Sequence, residues 1–317
     1  MPKKVINTKT ISREEWLEIR RNSLGGSDAS SACGASPWKS ELELWCEKMG
    51  MIPDKETNES MRRGIYLEEY VAQRFTEETG KKVKRDNFMY CDDDFPCLTA
   101  NIDRVIVGEE AGLECKTMND YSTNDYDIES GEIPTQYYYQ VQHYMMVMGW
   151  QYMYIAFSSN FKFTWLKVDR NDEFINQMRQ KELDFWYNNV LKKIRPEADG
   201  SDSSMEALNM LYPNERPDSV LEFNFEHLGA RYMRLNDMIK RCNAEKDEIK
   251  AEICNTLQDA ERGLSENYKC SWKSQSKNNF DTKTFSNDYP ELYKKYTTTT
   301  TTRTFRLNEI KRKEEEK

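Results

Sequence analysis

Two carboxylates and a lysine carry the most chemistry in this 317-residue chain. Asp103 ends an apolar run over 98–103, Glu114 follows eleven positions later after a turn, and Lys116 stands two beyond Glu114. Eleven positions suit a hairpin that brings both carboxylates together, and residues two apart on a strand project from one face. Hard oxygen ligands beside a cation suit phosphodiester hydrolysis with magnesium. The carboxylates would hold the ion, while the ammonium orients or deprotonates a water and balances charge on the phosphorane. The Cys115 carbonyl would be a third protein ligand, its side chain turned to the core. A hairpin with solvated charges or cross-strand pairs is the plain alternative. Against it, Leu98, Ile102, Val105 and Leu113 mark this stretch as core, where charges need a reason.

The elements that must position these residues are legible in outline. Ser12 with Glu15 three residues on reads as a capping box that opens a helix carrying Trp16, Ile19 and Arg20. Gly25 and Gly26 break it, a second helix starts behind Ser27, and Ser40 caps a third with Leu42, Leu44 and Trp45. A polar stretch over 53–60 precedes a helix of about 61–79, closed by Gly80. Runs at 88–90, 98–103, 104–107 and 113–116 read as strands of one curved sheet, with 108–112 turning between the last two. Pro134 opens a tyrosine-rich helix ended by Gly149. A hairpin follows across Ser158, Ser159 and Asn160, then an amphipathic helix over 172–191.

Composition shifts at 196–202, which is linker-like. The expected organisation is a domain over 1–195, a linker over 196–227 and an extension over 228–317. Leu228, Leu235, Ile239, Cys242, Ile249, Ile253 and Leu257 recur at three- and four-residue steps, as in one helix of about 30 residues with a coiled-coil-like seam. A small β unit should follow, from 268–272 and 304–307, and the threonines over 297–302 read as an exposed strand or loop.

Net charge is −9, which argues against simple coating of nucleic acid. It is uneven: 228–317 carries 19 Lys and Arg against 15 Asp and Glu, a net of +4, which leaves −13 elsewhere. Any DNA-facing surface must therefore be local. Eight cysteines with no C-x-x-C pair, and two histidines, give no zinc or iron–sulfur pattern and no Ser–His relay. No run reaches the roughly 18 apolar residues of a membrane span, and no secretory signal opens the chain. A cytoplasmic protein with no membrane partner is expected.

An ordered set of motifs over about 10–195 resembles the restriction-endonuclease-like PD-(D/E)xK nucleases, and within them the YqaJ-like viral recombinase, or phage lambda exonuclease, family. The set is Arg20; Gly25, Gly26, Ser27, Asp28 and Ala29; Gly64 with Glu68; Asp103; Glu114, Cys115 and Lys116; and Gln140, Val141 and Gln142. The family's Pro-Asp is Ile102 and Asp103 here, which weakens the signature without touching the metal chemistry.

The resemblance implies an α/β (α+β) fold, a restriction-endonuclease-like core with a central mixed β-sheet flanked by helices. It implies that Asp103 and Glu114 bind Mg²⁺, with Mn²⁺ as a substitute, and that Lys116 positions the water. Glu68 would reach the metal from its helix, as ligand or proton acceptor, with Gly64 allowing close approach to the sheet. Arg20 and Ser27 would hold a terminal 5′ phosphate, a role for which a Gly-Gly loop at a helix start is suited; Arg21 competes with Arg20. Gln140 would steady the active site and substrate backbone, with Gln142 beside it on the DNA side, while His143 reads as structural.

The implied activity is a 5′→3′ exonuclease on double-stranded DNA ends, leaving 3′ overhangs for phage-type homologous recombination. Its implied partners are a single-strand annealing protein and further copies of itself in a ring-shaped trimer, in a bacterial host cell. The alternatives are a structure-dependent or single-strand RecB-like nuclease and a non-catalytic DNA-end-binding module of the same fold.

Overall fold

Capping sets the early helices. Ser12 accepts the Glu15 N–H while the Glu15 carboxylate takes the Ser12 N–H, so α1 (Arg13–Arg21) begins with the expected reciprocal box. Ser40 caps α3 (Glu41–Lys48), Asn58 caps α4 (Glu59–Thr79), and Gly80 ends α4 at φ 71°, a left-handed turn that glycine adopts without cost. The short α2 (Gly26–Ala32) lies between α1 and α3 and is almost wholly buried. This computed structural model describes residues 2–53, 57–118, 131–159, 162–299 and 303–310.

In the first unit the described strands form two sheets, not the single curved sheet expected over 88–116. The first has the order β1 (Lys3–Asn7), β4 (Phe88–Cys91), β5 (Leu98–Asn101), β2 (Leu24–Gly25), with β2 parallel to β5 and the other pairs antiparallel. The second has the order β3 (Val83–Arg85), β6 (Arg104–Ile106), β7 (Gly112–Thr117), β8 (Tyr152–Ser159), β9 (Lys162–Asp169), with only β7 and β8 parallel. The run expected as one strand over 98–103 stops at Asn101. The chain bends at Ile102 and Asp103 and re-enters the second sheet as β6. Asp103 therefore sits where the chain passes between the sheets. β1, β2 and β3 are not among the expected strands; β2 has two residues and β3 three, too few for a periodic signal.

Helix α4 covers one face of the second sheet through Val71, Ala72 and Phe75 on Leu113, Tyr154 and Ala156. The tyrosine-rich helix α5 (Thr135–Met148), ended by Gly149 at φ 72°, packs against α2, β5 and β8. Alternation along β7 then sorts its side chains: Leu113 and Cys115 join the α4 cluster, leaving Glu114 and Lys116 to the opposite face. A Cβ at Gly112 would lie 2.7 Å from Trp150 and 2.9 Å from Ile102, so this glycine is needed for close packing. Gly64 is not: its nearest neighbour, Thr117 Oγ1, is at an ordinary 3.7 Å.

The helix expected over 172–191 is α6 (Asp172–Asp184), continuing as a π-helical turn through Phe185–Leu191. The stretch expected as a linker carries a further helix, α7 (Asp202–Leu211), which packs on α3. The buried Ser203 accepts the Ser40 N–H and donates to Glu43. The first unit thus extends over 1–212, and a second spans 213–317.

In the second unit α8 (Glu226–Leu257) is the expected long helix, 32 residues with none buried. The small β unit pairs β10 (Arg262–Leu264) with β11 (Lys269–Ser271). Residues 304–307 do not supply its second strand; the local partner across a short turn wins. Two short helices follow, α9 (Thr282–Asp288) and α10 (Pro290–Tyr296). Asn160 of the expected hairpin turn and 300–302 of the threonine run lie outside the described residues. Among the described residues no helix is long and apolar enough to cross a membrane.

Candidate active site

The bend that separates the sheets points Asp103 back at β7. Its Oδ2 accepts the Cys115 N–H at 2.9 Å. Pairing of β6 with β7 ends at Arg104 and Leu113, so Asp103 takes over an edge that β6 has left. On an extended strand the N–H and C=O of one residue face the same edge, so the Cys115 carbonyl faces the Asp103 side.

Glu114 is buried, and its Oε1 receives both Lys116 Nζ and Gln140 Nε2 at 2.7 Å. Its Oε2 is buried without a partner. A buried carboxylate oxygen left so costs about 1–3 kcal/mol. Lys116 also lies over the Tyr137 ring, 4.8 Å from its centroid.

Electrostatics sharpen the same point. Burial and then the Glu114 charge push the Asp103 carboxyl well above its usual range, against the pull of Lys116 and the Cys115 N–H. For Lys116, burial works against the charge, but Glu114 and Asp103 outweigh it and hold the ammonium above an ordinary lysine. One cation thus serves two desolvated carboxylates, with an acceptor oxygen unused. That donor set fits a hard divalent cation, which satisfies the orphan oxygen and relieves the repulsion. Among the described residues no three His, Cys, Asp or Glu side chains cluster as metal ligands. The fit is therefore to an ion that takes two carboxylates and completes its shell with carbonyl, water and phosphate oxygens, as magnesium does.

Glu68 does not join this pair. Its Oε1 is held by Arg104 Nη1 and, at 3.2 Å, by Arg85. Arg104 is buried, donates to the Asp103 carbonyl at 2.8 Å and takes Glu69 at 3.0 Å. Glu68 is thus a counter-ion that anchors the Asp103 bend to α4, and it acts on Asp103 through charge. Sequence reading missed Arg104; its position next to an acidic residue in an apolar run was the available signal.

The glycine loop forms a second cluster. Arg20 Nη2 donates to Ser27 Oγ at 2.9 Å and lies 3.6 Å from Asp28, its guanidinium over the Trp16 ring. Arg21 pairs with Glu18 instead, which separates the two candidates. Lys48, also missed, is buried and donates to the Arg20 carbonyl, the Ser23 carbonyl and Asp28 Oδ2, each at 2.7 Å. Burial alone would raise the Asp28 carboxyl, yet Lys48 and Arg20 hold it well below the usual carboxylate range. Arg20 borders a cavity of about 540 Å³ also lined by Arg13, Trp16, Lys39 and Met61.

Two side chains of α5 join the clusters. Gln140 Nε2, which holds Glu114, also donates to the Tyr144 hydroxyl at 3.0 Å. The Tyr144 ring packs so closely on Gly26 that a Cβ there would sit 2.5 Å from it. Gln142 is not brought to the site. Buried on another face of α5, its amide donates to the Asp169 carbonyl and accepts the Asn171 N–H. Both ends of the Gln142 amide are thus engaged on backbone. His143 bridges Glu182 and the Thr99 carbonyl at 2.7 and 2.9 Å, a core role as expected.

The site thus joins a carboxylate pair, a lysine on the same strand face as Glu114 and an Arg20–Ser27 cluster on a glycine loop, all on a mixed-sheet core. The chain belongs to the YqaJ-like viral recombinase family, whose domain matches residues 15–151 and so spans every residue of the two clusters. Over 307 residues it is 35% identical to the uncharacterized protein YqaJ of Bacillus subtilis (strain 168), with 95% of each chain covered. Among solved structures it is similar to an alkaline exonuclease, LHK-Exo, from Laribacter hongkongensis, at 21% identity and TM-score 0.49, covering 57% of this chain and 94% of that one. It is also similar to a phage related exonuclease from Haemophilus somnus 129PT, at 13% identity and TM-score 0.42, covering 56% and 99%.

Proposed function

We propose that this chain is a Mg²⁺-dependent deoxyribonuclease that degrades one strand of double-stranded DNA from its 5′ end, leaving a 3′ overhang for recombination. The observation that carries the reading is Glu114: one oxygen held between Lys116 and Gln140, the other buried and unpartnered beside Asp103. Asp103, Glu114 and the Cys115 carbonyl would hold magnesium, or manganese in its place, which supplies Lewis-acid charge to a phosphoryl oxygen.

The chain's own residues do the rest. Lys116, kept charged, orients the attacking water and offsets the negative charge that builds on the phosphorus. Gln140 fixes the carboxylate rotamer, so that little reorganisation is needed as charge develops. Glu68, through Arg104, steadies the Asp103 bend. Arg20 and Ser27 offer a guanidinium and a hydroxyl to a terminal phosphate, on a loop that Lys48 and Asp28 hold in place. In this reading the chain acts as a homo-oligomer, beside a single-strand annealing protein, in the cytoplasm of a bacterial host.

Polarity-resolved digestion tests it. Linear duplex labelled at either end should lose 5′ nucleotides with Mg²⁺ and none with EDTA, faster from a 5′ phosphate than from a 5′ hydroxyl. Arg20→Ala should erase that preference. Loss from 3′ ends, or cleavage of single strands alone, would favour the structure-dependent or RecB-like alternative. Binding of ends without cleavage would leave a non-catalytic module.

A further inference from the structure

One face of α5 touches both clusters. Tyr137, Gln140 and Tyr144 stand three and four positions apart, so they form a single stripe along the helix. The Tyr137 ring lies under the Lys116 ammonium, and Gln140 grips Glu114. Tyr144 reaches the other way, towards the glycine loop. It is 5% exposed, and a Cβ on Gly26 would lie 2.5, 2.9 and 3.0 Å from three of its ring carbons. Loop and ring therefore cannot move independently. The Gln140 amide has two hydrogens, and both have acceptors: Glu114 Oε1 at 2.7 Å and the Tyr144 hydroxyl at 3.0 Å. Burial and then the Glu114 and Asp103 charges raise the Tyr144 phenol, while Arg20 draws it down. The hydroxyl thus lies in the field of the carboxylate pair and of the anion loop together.

We infer that Tyr144 couples the two clusters, so that a terminal phosphate on Arg20 and Ser27 tightens the metal site through Gly26, Tyr144 and Gln140. Resting on the proposed roles of those clusters, this coupling makes Tyr144 a positioning residue that belongs to neither. The route is short. An anion that fixes the loop fixes the ring seated against it. The hydroxyl then has one position, and the amide that holds Glu114 loses its freedom. A cation arriving afterwards has less to order and binds more tightly. Linkage makes the effect reciprocal, so the metal tightens the grip on the phosphate by the same factor. An end without its phosphate leaves Glu114 loosely held, and the chain tells the two kinds of end apart at its metal as well as at Arg20. Attraction between phosphate and cation also acts through space, but it does not need the hydroxyl. Tyr144→Phe separates the two effects, because the ring stays on Gly26 while the link to Gln140 is lost.

Mn²⁺ binding followed by electron paramagnetic resonance tests this without turnover. The full chain is titrated beside a short duplex whose first linkages carry CH₂ in place of the 3′ oxygen and cannot be cut. One duplex ends in a 5′ phosphate, the other in a 5′ hydroxyl, and Asp103→Asn supplies the background of ions bound elsewhere. In wild type the phosphate should lower the Mn²⁺ dissociation constant by about fivefold or more. In Tyr144→Phe the factor should fall to within about twofold, the part left to screened charge attraction. With EDTA in place of metal, Tyr144→Phe should still prefer the phosphorylated duplex by the wild-type factor, which a disrupted loop would not do. Gly26→Ala, which presses on the ring from the loop side, should weaken Mn²⁺ about threefold or more with no DNA present, and by less than about twofold when added to Tyr144→Phe. An Asp103-dependent Mn²⁺ site that ignores the end phosphate, or a Tyr144→Phe protein that keeps the full factor, would overturn the coupling and leave the proposed nuclease standing. Mn²⁺ that binds equally without Asp103, or a phosphate preference in EDTA that survives Arg20→Ala, would overturn the proposed roles themselves and the coupling with them.

Discussion

Gln140 Nε2 donates 2.7 Å to the same Glu114 oxygen that Lys116 reaches, and 3.0 Å to the Tyr144 hydroxyl. The amide is therefore the hinge pin of the centre although it lies on a different element from the carboxylates. Gln140→Leu keeps the volume and removes the donor. It should lower kcat by about 10–100-fold and raise the Mg²⁺ concentration for half-maximal rate, with KM for duplex little changed. Unchanged magnesium dependence would show that Glu114 does not need the amide.

Asp103 is held as a carboxyl at odds with its surroundings, through burial and the neighbouring Glu114 charge. Asp103→Asn can still accept the Cys115 N–H but removes the charge. Without metal this variant should be more stable than wild type by about 1 kcal/mol or more, a rise of roughly 2–4 °C in Tm. Cleavage should be abolished, and the Mg²⁺-induced rise in Tm should vanish. A lowered Tm in EDTA would mean that Asp103 is a structural anchor first.

Lys48 and Asp28 form a buried pair beneath Arg20. Lys48→Met leaves Asp28 facing Arg20 alone and should cost about 3–5 kcal/mol in urea denaturation. Adding Asp28→Asn should recover part of that loss while the preference for 5′ phosphate stays impaired, because Arg20 has lost its carbonyl tether. Equal stability of the single and double variants would dissociate the two residues.

His143 has an oxygen at each ring nitrogen, from Glu182 and the Thr99 carbonyl, an arrangement that favours the doubly protonated ring. Burial opposes that charge, but Glu182 outweighs it and raises the pKa. A raised histidine pKa contributes stability fully below the unfolded value near 6.5 and loses it as pH climbs through the folded value. The stability gap between wild type and His143→Gln should therefore be largest near pH 6 and narrow towards alkaline pH. A gap that widens with pH would require a neutral ring.

What the sequence displayed and what it hid divide along physical lines. Ser12 with Glu15, Ser40 and Gly80 act within a few residues, so their helices were legible. Glu114 and Lys116 share a face because strand geometry demands it, whatever surrounds them. The break at Ile102 and Asp103 was not legible, because an apolar run reads the same whether it continues or turns into another sheet. The resemblance alone implied Glu68 as a metal ligand, and its ion-pair partner, Arg104, comes near it only in three dimensions. Gln140 and Gln142, two apart on a helix, face different neighbours, and only α6 and β9 reveal that Gln142 is spoken for. The helix over 202–211 was hidden in a polar stretch whose serines turned out to be buried against α3.

The passage of the chain from one sheet to the other at Asp103 has a bearing on how the protein is made. Its carboxylate meets Cys115 only when β7 is laid down, and Glu114 is gripped only once α5 arrives with Gln140. Domains form as units while the ribosome adds residues one by one. A nascent chain that already contains Asp103, Glu114 and Lys116, but not yet α5 and β8, would hold the acidic pair without its framework. Under the proposed function, an unfinished or truncated copy thus lacks an assembled cutting centre.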